Sequence, residues 1–196
     1  MKAYYHARAR EYDDWWLQRG LYEPRRNPAW QAERDEALAA IGRLPPRTTL
    51  DVACGTGFVT RHLPGEVTGF DQSDEMLAVA AEQAPEATYV QGDALDLPFA
   101  DGEFERLFTS HFYGHLEEGD RERFLDEARR VATELVVLDA GLHDGEPRFE
   151  WQERLLKDGS RWEVYKRFFT GRQLLEELGG GEVLFEGRWF VLVSSR

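Results

Sequence analysis

Cysteine occurs once in the 196 residues, at Cys54. No disulfide can therefore close within the chain, and nothing resembles a zinc ligand set, so no metal is expected. The lone thiol reads as a small residue in a tight turn, because free cysteines are usually packing groups. Long hydrophobic runs are missing as well. Apolar stretches such as 135–138 and 190–193 have strand length, far short of the ~20 residues that span a bilayer. The opening MKAYYHARAR lacks the apolar core of a secretory signal. A cytoplasmic chain without a membrane span is expected. Positive charge is also scarce: 24 Lys and Arg against 37 Asp and Glu give a net charge of −13. That is the wrong sign for a surface that grips nucleic-acid phosphates over a wide area. Hydrophobic residues make up 42%, too many for a disordered chain and enough for the core of one domain.

Strand and helix patterns alternate along this single domain. Residues 1–44 form an N-terminal region rich in Tyr, Trp and Arg, ending in a helix over 29–44. Trp30, Ala37, Leu38 and Ile41 recur there at helical spacing. Strands are predicted at 49–53, 66–70, 87–91, 104–109 and 134–139. Short helices are predicted at 58–63 and from the Ser73 cap to residue 83, and an amphipathic one at 120–131. Such alternation implies parallel β-α-β units in a doubly wound sheet. Residues 170–196 differ: a helix starting at a Thr cap precedes two strands joined by a short turn at Gly187, which must pair antiparallel. The core is thus 45–139. Residues 140–169 fit no strand–helix rhythm and are read as an insertion near the carboxyl ends of the strands, where ligands bind in open sheets.

Three motifs carry chemistry. LDVACGTG (50–57) is a strand ending in a sharp turn; Gly55 and Gly57 can adopt positive φ and let the backbone approach a ligand. Asp71 closes the second strand, where a carboxylate suits two vicinal ribose hydroxyls. GDALDLPF (92–99) follows the third strand: Asp93 can accept from an adenine amino group and the Ala94 backbone can meet the ring edge. Leu95 and Met76 are apolar walls for such a ring. The series LDVACGTG, FDQS, GDALDLPF and FERLFTSHFYGHL resembles the ordered motifs of class I S-adenosylmethionine-dependent methyltransferases. It is similar above all to the small-molecule branch that includes quinone-biosynthesis methyltransferases, and the likeness covers most of the chain.

That resemblance implies an α/β, Rossmann-like three-layer sandwich whose seven-stranded, mostly parallel sheet ends in an antiparallel strand. It implies S-adenosylmethionine as cofactor and S-adenosylhomocysteine as product. Asp51, Ala53, Gly55 and Gly57 would hold the methionyl part, Asp71 the ribose, and Asp93 the adenine, with Thr56 and Gln72 as further cofactor-binding residues. Ser110 and His111 would border the methyl group, and Tyr4, Tyr5 and Tyr12 would fold over the cofactor as a lid. One departure from the motif is Ala53, where a third glycine is frequent.

Methyl transfer from a sulfonium is an in-line displacement, helped mainly by orientation and by a base where the nucleophile carries a proton. His111, Tyr113 and His115 follow the fourth strand and are the candidates. A small-molecule acceptor of apolar or aromatic character is expected from the aromatics of 140–169, in a monomer or homodimer. Arg148, Arg154, Arg161, Arg167 and Arg172 are read as mostly solvated, unless some of them bind an anionic substrate. A nicotinamide-dependent oxidoreductase is disfavoured, because Thr60 stands where the dinucleotide fingerprint needs its last Gly or Ala. Two further readings compete with the small-molecule enzyme: a non-catalytic cofactor-binding module or regulatory partner, and a protein-directed methyltransferase.

Overall fold

A computed structural model describes residues 2–143, 145 and 147–196. The N-terminal region consists of α1 (Lys2–Arg8), α2 (Asp13–Leu17) and α3 (Pro28–Gly42), with 3-10 turns between them. The strands are β1 (Thr49–Val52), β2 (Val67–Asp71), β3 (Thr88–Gln91), β4 (Phe104–Ser110) and β5 (Ala132–Ala140). Between them run α4 (Asp74–Gln83) and α5 (Glu118–Val131). After β5 come β6 (Phe149–Leu155), β7 (Arg161–Arg167), α6 (Gly171–Leu178), β8 (Glu182–Glu186) and β9 (Phe190–Ser195).

Seven strands form one sheet in the order β3-β2-β1-β4-β5-β9-β8. β1 to β5 run parallel, and β9, the last strand in the chain, lies antiparallel to β5. The expected seven-stranded sheet and its antiparallel last strand are therefore present. β1, β4 and β5 are buried almost throughout, as central strands covered on both faces must be. One face packs Leu50, Leu107 and Val137 against Phe124, Ala128 and Leu174. The other packs Phe108, Val136 and Leu192 against Trp16, Ile41 and Phe58. Helix starts fall on capping side chains: Asn27, Ser73 and Thr170 each accept a hydrogen bond from the first turn. Strand order reverses between β1 and β4. That switch point opens a crevice at their carboxyl ends, and this is where the fold places a ligand.

Two expectations change. Residues 58–63 were expected to be helical, but only a single 3-10 turn forms, at Thr60–His62. Pro64 disfavours α geometry at Leu63, which is extended at ψ 126°. The segment 140–169 is built around a hairpin: β6 and β7 pair with each other alone, as a separate two-stranded sheet. Its alternation is inverted. Phe149 and Trp151 point outward, 59% and 60% exposed, while Glu150, Gln152 and Arg154 are half-buried. Among the described residues no helix is long and apolar enough to cross a membrane.

Candidate active site

β1 ends at Val52 and the chain turns at once through three left-handed residues, Ala53 (φ 58°), Gly55 (φ 56°) and Gly57 (φ 76°). Ala53 carries a Cβ there, a strain of roughly 1–2 kcal/mol of the kind held at functional sites. The two glycines do different work. A Cβ on Gly57 would sit 3.1 Å from Ala80 Cα, so this glycine lets α4 pack against the turn. A Cβ on Gly55 would meet only the Tyr12 ring, at 3.8 Å, so Gly55 leaves space open.

Asp71, at the tip of β2, braces this turn. Its Oδ2 accepts from the Gly55 N–H at 3.0 Å and its Oδ1 from the Ser73 N–H at 2.9 Å. Each carboxylate oxygen has a second lone pair left over. Burial pushes the Asp71 carboxyl up, opposed by the backbone N–H groups of Ser73 and Gly55. Asp51 is more strained electrostatically. Its Oδ2 accepts from Thr60 at 2.7 Å, its Oδ1 is buried without a partner among the described residues, and burial raises its pKa to about 7.

A cleft of about 160 Å³ opens at the switch point, where open α/β sheets bind their ligands. Of the residues expected around a cofactor, Tyr12, Ala53, Gly55, Asp71, Gln72 and Met76 line it, as do Asp93, Ala94, Leu95 and Ser110. Four do not. Tyr4 is buried in a small cluster with Leu156 and Val164, its hydroxyl accepting from Arg8. Asp51 and Thr56 line a narrow recess beside the cleft, together with Tyr12, Ala53 and Ser110. Gly57 is occupied by α4, as above. Tyr5, of the expected lid, does line the cleft.

The catalytic candidates separate clearly. His111 lines the cleft at φ 50°, ringed by Trp15 and Trp16 at 5.0 and 5.2 Å. Its Nδ1 lies 3.7 Å from Asp139 Oδ1, and its Nε2 is buried without a partner among the described residues. Burial, then the charges of Lys166 and Arg154, hold its pKa well below the usual imidazole value, so the ring is neutral. His115 is tied by Nδ1 to the Tyr165 carbonyl at 2.6 Å and lines an adjoining cavity. Tyr113 was expected at the site, but it lines neither cavity. It is 1% exposed, packed between the tilted rings of Phe124 and Phe169, and its hydroxyl donates to Glu177 at 3.0 Å. The 3-10 turn at Tyr113–His115 sends the two aromatic side chains to opposite sides.

Several cleft residues escaped the sequence reading: Phe70, Gly92, Phe112, Leu116 and Asp120. Gly92 had a legible signal, a glycine directly after a strand; a Cβ there would lie 2.4 Å from the Phe70 ring. Asp13 was also missed. It accepts from Thr56 Oγ1 and Gln83 Nε2, both at 2.5 Å, and so fastens the N-terminal region to the turn and to α4. Away from the cleft, His6, Asp74 and Glu75 bring three potential ligand atoms within 4.8 Å on the surface.

A family profile described as a methyltransferase domain matches residues 50–135, the stretch that carries the turn, Asp71, Asp93 and β4. Over nearly the whole chain the fold superposes on the DhpI-SAH complex, with a TM-score of 0.72 and 27% identity, covering 99% of this chain and 93% of that one. Residues 50–135 thus resemble a methyltransferase domain, and the fold as a whole is that of a class I S-adenosylmethionine-dependent methyltransferase. Demethylmenaquinone methyltransferases of Thermotoga maritima and Porphyromonas gingivalis are 35% and 39% identical to it, over 114 and 121 residues. Each match takes in 54% of this chain and 49% of the relative, so the chain matches about half the length of these curated relatives. The matched profile stops before the β6–β7 hairpin and starts after the N-terminal helices. Those two parts supply Tyr5 and Tyr12 to the cleft, and Arg154 and Lys166 to the cavity that adjoins it.

Proposed function

We propose that the protein transfers a methyl group from S-adenosylmethionine, in line, to a small-molecule acceptor. The observation that carries this reading is Asp71. Its carboxylate stands at the tip of β2 in the cleft, fixed by two backbone N–H groups, with one lone pair on each oxygen free for a pair of vicinal hydroxyls. The other residues fit the same ligand. Gly55 leaves the cradle a methionyl chain needs. The orphaned Oδ1 of Asp51 suits an ammonium group. Met76 and Leu95 give apolar walls, and Asp93 stands at the mouth for the adenine amino group.

When bound, the cofactor supplies an electrophilic methyl group on a sulfonium whose departure needs no acid. What the chain does is orient and enclose. Tyr5 and Tyr12 line the cleft, and their ring faces favour a cation. Ser110 and His111 border the reacting end. A neutral His111 is able to take a proton from an acceptor hydroxyl, thiol or acidic carbon. The reading extends to a cytoplasmic enzyme, active as a monomer or homodimer.

The test is turnover. Incubation with methyl-labelled S-adenosylmethionine and the low-molecular-weight fraction of a cell extract is expected to release S-adenosylhomocysteine and move label into that fraction. Label entering polypeptide instead would make the enzyme protein-directed. Tight cofactor binding with no product from either fraction would make it a non-catalytic module.

A further inference from the structure

A second, smaller cavity of about 50 Å³ adjoins the cleft and shares Tyr5, Tyr12 and His111 with it. It therefore lies on the acceptor side of the reacting end. Its remaining walls bring Arg8, Arg154 and Lys166 together. In a chain whose net charge is −13, three basic side chains around one small cavity require an explanation.

Arg8 is 7% exposed. Its guanidinium donates to the Tyr4 hydroxyl at 2.7 Å and the Tyr22 hydroxyl at 3.2 Å and lies 4.7 Å from the Tyr12 ring centre. Among the described residues it has no carboxylate partner. Arg154 donates to the side chain of Gln152 and likewise has no carboxylate. Three other arginines that are buried or half-buried do have carboxylates: Arg106 with Glu134, Arg130 with Glu127, Arg167 with Glu177. Lys166 Nζ bonds Asp139 Oδ1 at 2.6 Å, and Asp139 also accepts from the Gly114 and Ala140 N–H groups. The cavity thus gathers three basic side chains against one carboxylate, and burial pushes the Lys166 ammonium down while Asp139 holds it up. Both flanking histidines are neutral, pushed down by burial and then by Lys166. A buried cation without a counter-ion is costly, and the counter-ion this cavity lacks is a ligand.

The inverted hairpin makes the arrangement deliberate. β6 and β7 turn Phe149 and Trp151 to solvent and Arg154 and Lys166 inward. A neutral apolar acceptor would leave those charges unanswered.

We infer that the acceptor is a small anion, whose carboxylate or phosphoryl oxygens are held by Arg8, Arg154 and Lys166 while its reacting atom faces the cleft past Tyr5, Tyr12 and His111. This inference rests on the methyltransferase reading of the neighbouring cleft. Arginine and lysine here would make charge-assisted hydrogen bonds, the strongest available to an oxyanion.

The test titrates S-adenosylhomocysteine-saturated protein with acetate, methylphosphonate and the neutral acetamide, by calorimetry. At least one anion is expected to bind and acetamide is not; which anion wins separates carboxylate from phosphoryl chemistry. Arg154→Gln should weaken the anion at least tenfold and Arg154→Glu should abolish its binding, with S-adenosylhomocysteine affinity within twofold of the wild type. Arg154 is half-exposed on a hairpin, so both variants are expected to fold. Intact S-adenosylhomocysteine binding with no anion binding, or anion binding indifferent to both variants, overturns the anion site and leaves the cofactor reading standing. Should S-adenosylhomocysteine itself fail to bind, the cofactor reading falls, and the same anion titration of the free protein decides the cavity separately.

Discussion

Asp71→Ala is expected to weaken S-adenosylhomocysteine binding by about 100-fold or more. Hydrogen bonds to a charged group are worth roughly 1.5–3 kcal/mol each, and the proposed ribose contact uses both carboxylate oxygens. The same substitution removes two braces, because Asp71 holds the Gly55 and Ser73 N–H groups. Asp71→Asn separates the two effects. It keeps one carbonyl acceptor, and about tenfold weaker binding is expected. Calorimetric titration measures both variants, and melting of the free proteins reports on the turn. Unchanged affinity in Asp71→Ala would remove the ribose contact from the account.

Glu134→Leu is expected to cost about 3–5 kcal/mol of stability, the usual price of stranding one member of a buried ion pair. Arg106 is fully buried, with Nε donating to Glu134 Oε2 at 2.7 Å and Nη1 to the Pro45 carbonyl at 3.1 Å. Glu134 also accepts from Ser194 Oγ at 3.1 Å, so this pair ties β4, β5 and β9 together far from the cleft. For a chain of this size the loss lowers Tm by roughly 6–20 °C. The double variant Arg106→Met/Glu134→Leu should recover most of it, since apolar replacement of a whole buried pair is often neutral. Acid unfolding gives a second readout. Burial pushes the Glu134 carboxyl up, but its hydrogen bond and ion pair with Arg106 outweigh this and hold it below the usual range. A depressed folded-state pKa stabilises fully above the unfolded value of about 4.3, and the contribution is lost as pH falls through the folded value. The wild type should therefore lose stability with acid more steeply than Glu134→Leu. A double variant no more stable than the single one would mean that the damage lies in packing.

The cleft at the ends of β1 and β2 was legible because the residues that line it also shape the fold. Strands buried on both faces, such as β1 and β5, show as short apolar runs, and the turn after β1 needs residues that tolerate positive φ. Asp71 and Asp93 stand at strand ends, so naming the strands placed them. Gly57 shows the limit: it was read as a ligand glycine, yet α4 occupies the space its Cβ would fill. Tyr113 was equally ambiguous, since a 3-10 turn decides which of two aromatic neighbours faces the site. The β6–β7 hairpin was hidden by its polarity. Burial usually puts apolar residues inside; here Arg154 and Lys166 are inside and Trp151 outside. The Asp158–Gly159 pair was the one readable sign of its turn. Arg8 was obscured for a related reason. Its neighbours in the sequence suggested a tyrosine lid, and nothing in their spacing says that three of the chain's tyrosine rings surround a guanidinium.

The most direct test of the central claim is calorimetric titration of the wild-type protein with S-adenosylhomocysteine. One molecule bound per chain with micromolar affinity is the predicted result. Absence of any binding heat, together with an unshifted melting temperature in excess ligand, would contradict it.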